Sequence, residues 1–315
     1  MSYELPPMRP PSEARSLLIR VMRGCPWNYC TFCSAYKDLP RKQMMRSAAE
    51  VMGDIDELRT TCDDARSRGY VVEPKTAFLA DSNAVIIKTA ELAGIVAHLL
   101  EAFPSLERVT SYGRAKTVLV KDLGELRELR RAGLNRLHLG LESGDDEVLQ
   151  RVKKGATSEE MIAAGLKVKE AGFELSEYVM PGLGGRDASE RHVEGIARVL
   201  NAVDPDYTRV RSLILAPGTP LFDEYEAGEF QALSRLEVVR EIRALVERLE
   251  ITGRLCFDHF SNPPFLRQDW EGYKFPEEKE AVLATIDSVL ERWQARLSGE
   301  HAAGGDLGPA IGTRL

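Results

Sequence analysis

Six short apolar stretches, each followed by a stretch with helical spacing, recur about every 30 residues through the first two-thirds of the chain, the length of a βα unit. The strand-like stretches fall at residues 16–22, 76–81, 108–112, 136–141, 174–180 and 207–215. Between them, 47–68, 89–103, 121–132, 158–171 and 188–203 place apolar residues three and four apart, as a helix with one buried face requires. Thr157 or Ser158, followed by Glu159 and Glu160, supplies an N-cap and an acidic first turn for the fourth helix. Strands alternating with helices imply a parallel sheet with right-handed crossovers. The pattern fits an open doubly wound sheet and an incomplete barrel equally. In either, function collects at the carboxyl ends of the strands.

Beyond residue 221, helical spacing returns over 233–249 and 277–297, with a less regular piece between them that holds Cys256, Asp258, His259 and Asn262. The reading divides the chain into a Pro-rich lead-in (1–15), a core (16–235), a helical C-terminal extension (236–297) and a flexible, Gly- and Ala-rich tail (298–315). No internal repeat exceeds the βα unit.

The chemistry-bearing feature is the loop after the first strand, Cys25-Pro26-Trp27-Asn28-Tyr29-Cys30-Thr31-Phe32-Cys33, which carries three of the five cysteines. Thiolates this close on one loop can converge on a metal centre. A 4Fe-4S cluster held by three thiolates keeps one iron open for another ligand. Two other readings fit the spacing: a structural zinc site completed by a distant His259 or Cys256, and buried core thiols. A zinc finger would usually offer a second ligand pair at short spacing, and none is present.

Bulk composition narrows the partners. At 315 residues, 43% hydrophobic and 29% charged, the chain can bury a substantial core. A net charge of −7 argues against a nucleic-acid backbone binder, which needs a basic face. No apolar run reaches the roughly 18 residues of a membrane span, and the N-terminus lacks a signal pattern. Few, clustered cysteines imply a reducing, cytoplasmic setting rather than disulfide stapling.

At the cysteine loop the sequence resembles the radical SAM superfamily, whose usual C-x3-C-x2-C signature has an aromatic residue before the last cysteine. Phe32 takes that place; the first gap is one residue longer, C-x4-C-x2-C. Val109-Thr110-Ser111-Tyr112-Gly113-Arg114-Ala115 and Leu139-Gly140-Leu141-Glu142-Ser143-Gly144, with Val148-Leu149 and Lys154-Gly155 following, are similar to the subgroup of tRNA methylthiotransferases and oxygen-independent coproporphyrinogen dehydrogenases. The resemblance covers about residues 10–235. It implies an α/β fold of parallel strands, a partial (βα)6 TIM-like barrel with a small helical extension. It also implies a 4Fe-4S cluster on Cys25, Cys30 and Cys33, S-adenosylmethionine on the open iron, and reductive cleavage to a 5′-deoxyadenosyl radical that abstracts hydrogen from a small or medium-sized substrate. An electron donor such as flavodoxin or ferredoxin follows from the same chemistry.

Candidate cofactor-binding residues lie at the strand ends. By resemblance, the turn after the second strand contacts the methionine amine; here it is Ala80-Asp81-Ser82-Asn83, which makes Asp81 a candidate by position. Glu142 would contact ribose or amine from the end of strand four; otherwise it is a strand-end carboxylate facing solvent. Ser111 and Arg114 follow strand three, and Arg114 pairs with the methionine carboxylate, with substrate, or with a surface acid. Glu177 sits on a buried strand and needs a partner, beside the cofactor or in an outward ion pair. Arg209 and Arg211 share a strand face; facing inward, they offer a grip for a carboxylate.

Gly182-Leu183-Gly184-Gly185 reads as a loop backing the adenine rather than a phosphate cradle. His259 reads as a structural histidine beside Asp258, and Cys62 as structural. With Cys62, Cys256 cannot furnish an auxiliary cluster, which counts against methylthiotransfer. The alternatives are a tetrapyrrole-directed oxidoreductase resembling coproporphyrinogen dehydrogenase, and a non-catalytic zinc or iron–sulfur binding protein.

Overall fold

A computed structural model describes residues 8–37, 45–298 and 308–312; of residues 296–298 it describes the backbone alone. The chain folds into two compact units. The first comprises residues 1–28, 36–139 and 164–175, and the second residues 29–35, 140–163 and 176–315. Strand order follows chain order from the first strand to the eighth.

The first unit is built on β1 (Leu17–Arg20), β2 (Thr76–Ala80) and β3 (Arg108–Gly113), with β4 (Leu134–Glu142) beginning in it. All three pairings are parallel, with Leu17 opposite Ala77, Thr76 opposite Arg108 and Gly113 opposite Leu139. Parallel strands covered on both faces read as continuous apolar runs, and Ala77, Phe78, Leu79 and Ala80 are all fully buried. Helices α1 (Ala48–Ser67), α2 (Thr89–Ala102), α3 (Ala115–Val120) and α4 (Leu123–Arg131) belong to this unit. Sequence sets their starts: Ser47 with Glu50, and Asp122 with Glu125, form reciprocal capping boxes that satisfy orphan amides.

At the amino ends of these strands a 3-10 turn, Pro11–Glu13, places a fully buried carboxylate. Glu13 accepts from Ser16 Oγ at 2.5 Å and lies 3.5 Å from both Arg108 and His138. Burial alone would raise this carboxyl, but His138, Ser16 and Arg108 outweigh it and hold it down at about 2.

The second unit contains α5 (Asp146–Arg151), most of β5 (Glu174–Val179), α7 (Gly185–Val203), β6 (Tyr207–Val210), α8 (Pro220–Glu226), α9 (Arg235–Arg248), β7 (Arg254–Cys256), β8 (Tyr273–Lys274) and α10 (Lys279–Ser298). Helix α6 (Ser158–Glu170) starts in it and ends in the first unit. Thr157 caps α6: its hydroxyl accepts the Glu160 amide, and Glu160 accepts the Thr157 amide. Strands β5, β6 and β7 are parallel, and β8 returns antiparallel.

Three features differ from the sequence reading. Strand β6 stops at Val210, although Arg211 N and Leu213 N still donate to Val179 O and Pro181 O, each at 2.9 Å. The piece between the last two long helices holds the two short strands β7 and β8. Part of the expected flexible tail is also ordered: Leu215 donates to Ala310 O at 2.9 Å and accepts from Gly312 N at 3.1 Å, a parallel bridge to Ile311. The rest of that tail, and the lead-in before residue 8, lie outside the described residues. Among the described residues, no helix is long and apolar enough to cross a membrane.

Candidate functional site

The cysteine loop passes from one unit to the other, with Cys25 in the first and Cys30 and Cys33 in the second. None of the three is in a disulfide, and all three are half-buried.

In the first unit, the chain just before Cys25 is fixed by Asp81. One oxygen of this fully buried carboxylate accepts from Gly24 N at 2.9 Å and from Arg20 Nε and Nη2 at 3.1 and 2.9 Å. Ser82 Oγ adds a 2.8 Å bond to Gly24 O, so both backbone groups of Gly24 are held from the turn after β2. Burial pushes the Asp81 carboxyl up against the pull of the Gly24 amide and Arg20. Asp81 is therefore engaged with the loop. The Ser111 hydroxyl is turned onto the carbonyls of Leu79 and Tyr112 at 3.0 and 3.1 Å. Arg114 lies 4.8 Å from the ring centre of Trp27, within the cysteine loop, in cation–π contact.

In the second unit, Thr31 and Phe32 anchor the short arc between Cys30 and Cys33. Thr31, 2% exposed, donates its amide to Val152 O at 3.0 Å and accepts Leu221 N at 3.1 Å, tying the arc to the end of α5 and the start of α8. Phe32 packs on the cluster of Val148, Met180, Leu213 and Phe230. The aromatic residue in the motif thus has a packing role that fixes where its neighbouring thiols stand. Cys33 lines a cavity of about 190 Å³ together with Phe32, Met180, Ser212 and Arg211. The Arg211 guanidinium has no hydrogen-bond or ion-pair partner among the described residues, so this cavity offers an uncommitted positive charge.

Of the two arginines read as a grip, Arg209 is engaged inside the protein. Arg209, 1% exposed, donates to Asp258 at 2.5 Å and to Ser176 Oγ at 3.2 Å. Arg211 stands just beyond the end of β6, its amide donating to Val179 O at 2.9 Å. His259, near Arg211, accepts the Ser261 amide on Nδ1 at 3.2 Å. Burial, then Arg211, holds its imidazole down at about 4, so the ring is neutral near pH 7.

A second cluster forms where β4 ends. Glu142 adopts a left-handed backbone conformation, φ 62°, and pairs with Lys154 Nζ at 2.9 Å. Gly140 makes room for the pair: a Cβ there would lie 2.3 Å from Glu142 Oε1 and 2.7 Å from Lys154 Nζ. Glu177 is buried beside them, and its Oε2 has no hydrogen-bond partner. Burial drives this carboxyl well above the ordinary range; Lys154 opposes that shift and Glu142 adds to it. Sequence reasoning singled out Glu142 and Glu177 but gave Lys154 no role; its position twelve residues on, after a short helix, was the available signal.

The ends of β4 and β5 are braced by a residue the sequence reading passed over. His192 Nε2 donates to Met180 O at 3.1 Å, a carbonyl that can only accept. Its Nδ1 therefore accepts from Ser143 Oγ, at 2.8 Å. Burial lowers its pKa and keeps this tautomer neutral. Beneath the glycine loop, the Gly182 amide donates to buried Glu241 at 2.6 Å, and Ser189 donates to the other Glu241 oxygen. A carboxylate already fills the position an anion would take, which agrees with reading that loop as backbone packing.

The family model of the radical SAM superfamily matches residues 109–200, the stretch from β3 into α7 that carries Ser111, Arg114, Glu142, Lys154 and Glu177. That stretch of the chain is similar to the radical SAM superfamily. Members of this superfamily are enzymes that use a 4Fe-4S cluster and S-adenosylmethionine. Over 248 residues the chain is 24% identical to a tRNA-2-methylthio-N(6)-dimethylallyladenosine synthase of Saccharophagus degradans, covering 78% of this chain and 52% of that protein. Over 139 residues it is 24% identical to a tRNA uridine(34) acetyltransferase of Methanocaldococcus jannaschii, covering 42% and 26%. The chain thus spans between about a quarter and a half of the length of these curated relatives. Coproporphyrinogen III oxidase of Escherichia coli superposes with a TM-score of 0.53 at 17% identity, over 75% of this chain and 54% of that one. That likeness shows the fold, a TIM-like partial barrel with a helical C-terminal region.

The residues present suit the superfamily's cofactors. Among the described residues, no three His, Cys, Asp or Glu side chains converge as a single metal ion requires. A cluster makes a wider demand, since each thiolate takes a different iron, and three thiols outside any disulfide on one braced loop are that kind of donor set. Arg211 and the unpartnered Glu177 oxygen suit a ligand that carries a carboxylate and hydroxyl groups.

Proposed function

We propose that this protein is a radical SAM enzyme in which Cys25, Cys30 and Cys33 hold a 4Fe-4S cluster with one iron left for S-adenosylmethionine. The observation that carries this reading is the bracing of the loop at two points, Gly24 by Asp81 and Thr31 by the end of α5 and the start of α8. When bound and reduced by an electron donor such as flavodoxin or ferredoxin, the cluster would supply one electron to the sulfonium, releasing methionine and a 5′-deoxyadenosyl radical that takes hydrogen from substrate.

The chain's own residues bind and orient. Glu142, held by Lys154, accepts from the ribose hydroxyls. Glu177, whose Oε2 has no hydrogen-bond partner beside this pair, offers a further hydrogen bond to the same ligand. Arg211 pairs with the methionine carboxylate beside Cys33. Arg114 and Trp27 stiffen the loop, and Arg20 and Asp81 set its starting point. Ser111 and Arg209 are bonded inside the protein, and the hydroxyl of the first keeps acceptor lone pairs for a cofactor contact.

The test is chromatographic. The anaerobically reconstituted protein, given dithionite and S-adenosylmethionine, should form 5′-deoxyadenosine, and Cys25→Ala, Cys30→Ala and Cys33→Ala should each abolish it. Failure of the fully loaded wild type to form the nucleoside would overturn the reading.

A further inference from the structure

A second cavity in the same unit adjoins the one that holds Cys33. The two share Ser212, Leu213, Ile214, Phe260 and Gly312. The larger, about 530 Å³, is walled by Leu213, Leu233, Val239, Phe265 and Trp293, with the ordered tail, residues 309–312, along one side. Its size is that of a small-molecule site.

The polar groups in its wall are already satisfied. Asn262 Oδ1 accepts Ser212 N and Oγ, both at 3.1 Å, and its amide donates to Val210 O at 2.7 Å. Ser261 Oγ is bonded to His259 Nδ1 at 2.7 Å, and Leu215 spends both backbone groups on the tail. An occupant therefore finds apolar surface, and its body must be apolar to gain from entry. Charge sets the rest. In a chain with a net charge of −7, the two cavities are lined, among the described residues, by Arg211 and Arg235 and by no carboxylate. Arg235, exposed at the start of α9, has no ion-pair partner among the described residues. It would meet an anionic group at the rim of the larger cavity.

We propose that the larger cavity binds the substrate, and that the substrate is a small molecule with an apolar body and one anionic group, in the manner of an aliphatic or aromatic carboxylate. Calling this ligand the substrate rests on the enzymatic reading above; its binding requires neither cluster nor S-adenosylmethionine.

The test uses the full chain without cluster, titrated with dodecanoate and with dodecanol while Trp fluorescence is followed, Trp293→Phe identifying the signal of the cavity wall. Dodecanoate should bind saturably. Arg235→Gln should weaken dodecanoate about tenfold, the loss of one charged contact, and leave dodecanol unchanged. Val238→Trp, which fills the cavity, should weaken both about tenfold or more; Leu233→Phe does the same in smaller measure if the first variant folds poorly by circular dichroism. Non-saturable binding, binding that survives both filling variants, or equal effects of Arg235→Gln on the two probes would overturn the proposal. So would saturable binding of bulk tRNA with none of dodecanoate. Binding that behaves as described in a protein unable to form 5′-deoxyadenosine would leave this site standing and remove the enzymatic reading. Cleavage without binding would do the reverse.

Discussion

The Gly24 amide, one residue before the first loop cysteine, donates to the buried Asp81 carboxylate at 2.9 Å, and the same oxygen takes two bonds from Arg20. Asp81, expected from its position to touch cofactor, also tethers the loop through one of its oxygens. Removing one partner of a buried ion pair strands the other charge, at a cost of about 3–5 kcal/mol. Asp81→Ala should therefore lower the thermal midpoint substantially, and iron retention after reconstitution should fall with it. A variant with unchanged melting and full iron content would show that the tether is dispensable.

Glu142 and Lys154 lead to a different expectation, because they lie away from the thiols in sequence and pair with each other. A hydrogen bond involving a charged group contributes about 1.5–3 kcal/mol, or roughly 10- to 100-fold in affinity. Glu142→Gln should weaken S-adenosylmethionine binding by that factor while iron and sulfide content stay at the wild-type level. Equilibrium dialysis with metal analysis separates the two; loss of cluster in this variant would assign Glu142 to the scaffold instead.

Glu13 sets an acid limit on stability. Its folded pKa, about 2, lies below the ordinary glutamate value of 4.5, so its contribution is fully present above pH 4.5 and is lost as pH falls toward 2. The shift corresponds to about 3 kcal/mol. Denaturant melts at pH 7 and pH 3 should show Glu13→Gln less stable than wild type at pH 7, with the gap narrowing at pH 3. A gap independent of pH would mean that packing, not ionisation, is what Glu13 contributes.

His259 reports on Arg211. Burial and then the Arg211 charge depress its pKa to about 4, so Arg211→Gln should raise it. Imidazole proton shifts followed by NMR between pH 3 and 7 measure this directly, and an unmoved midpoint would place the guanidinium elsewhere.

Much of the fold was legible because parallel strands buried on both faces leave continuous apolar runs, as at Ala77–Ala80, and because a cap such as Thr157 with Glu160 is local. The cysteine loop was legible for the same reason: its chemistry lies within nine residues. What sequence hid is long-range. Arg20 finds Asp81 across 61 positions and Arg209 finds Asp258 across 49, and no local pattern says that these arginines are already spent. Strand β6 was read too long because Leu213, Ile214 and Leu215 are as apolar as a strand, yet they wall cavities instead. Strands β7 and β8 were missed because three and two residues carry no periodicity. The bridge from Leu215 to Ile311 joins the core to a stretch whose composition reads as tail.

The most direct test of the central claim is electron paramagnetic resonance of the reconstituted, dithionite-reduced protein with and without S-adenosylmethionine. The account predicts a reduced-cluster signal that changes when the cofactor is added, and its loss in each of Cys25→Ala, Cys30→Ala and Cys33→Ala. A protein that takes up one zinc per chain, gives no such signal and leaves the cofactor intact would contradict it.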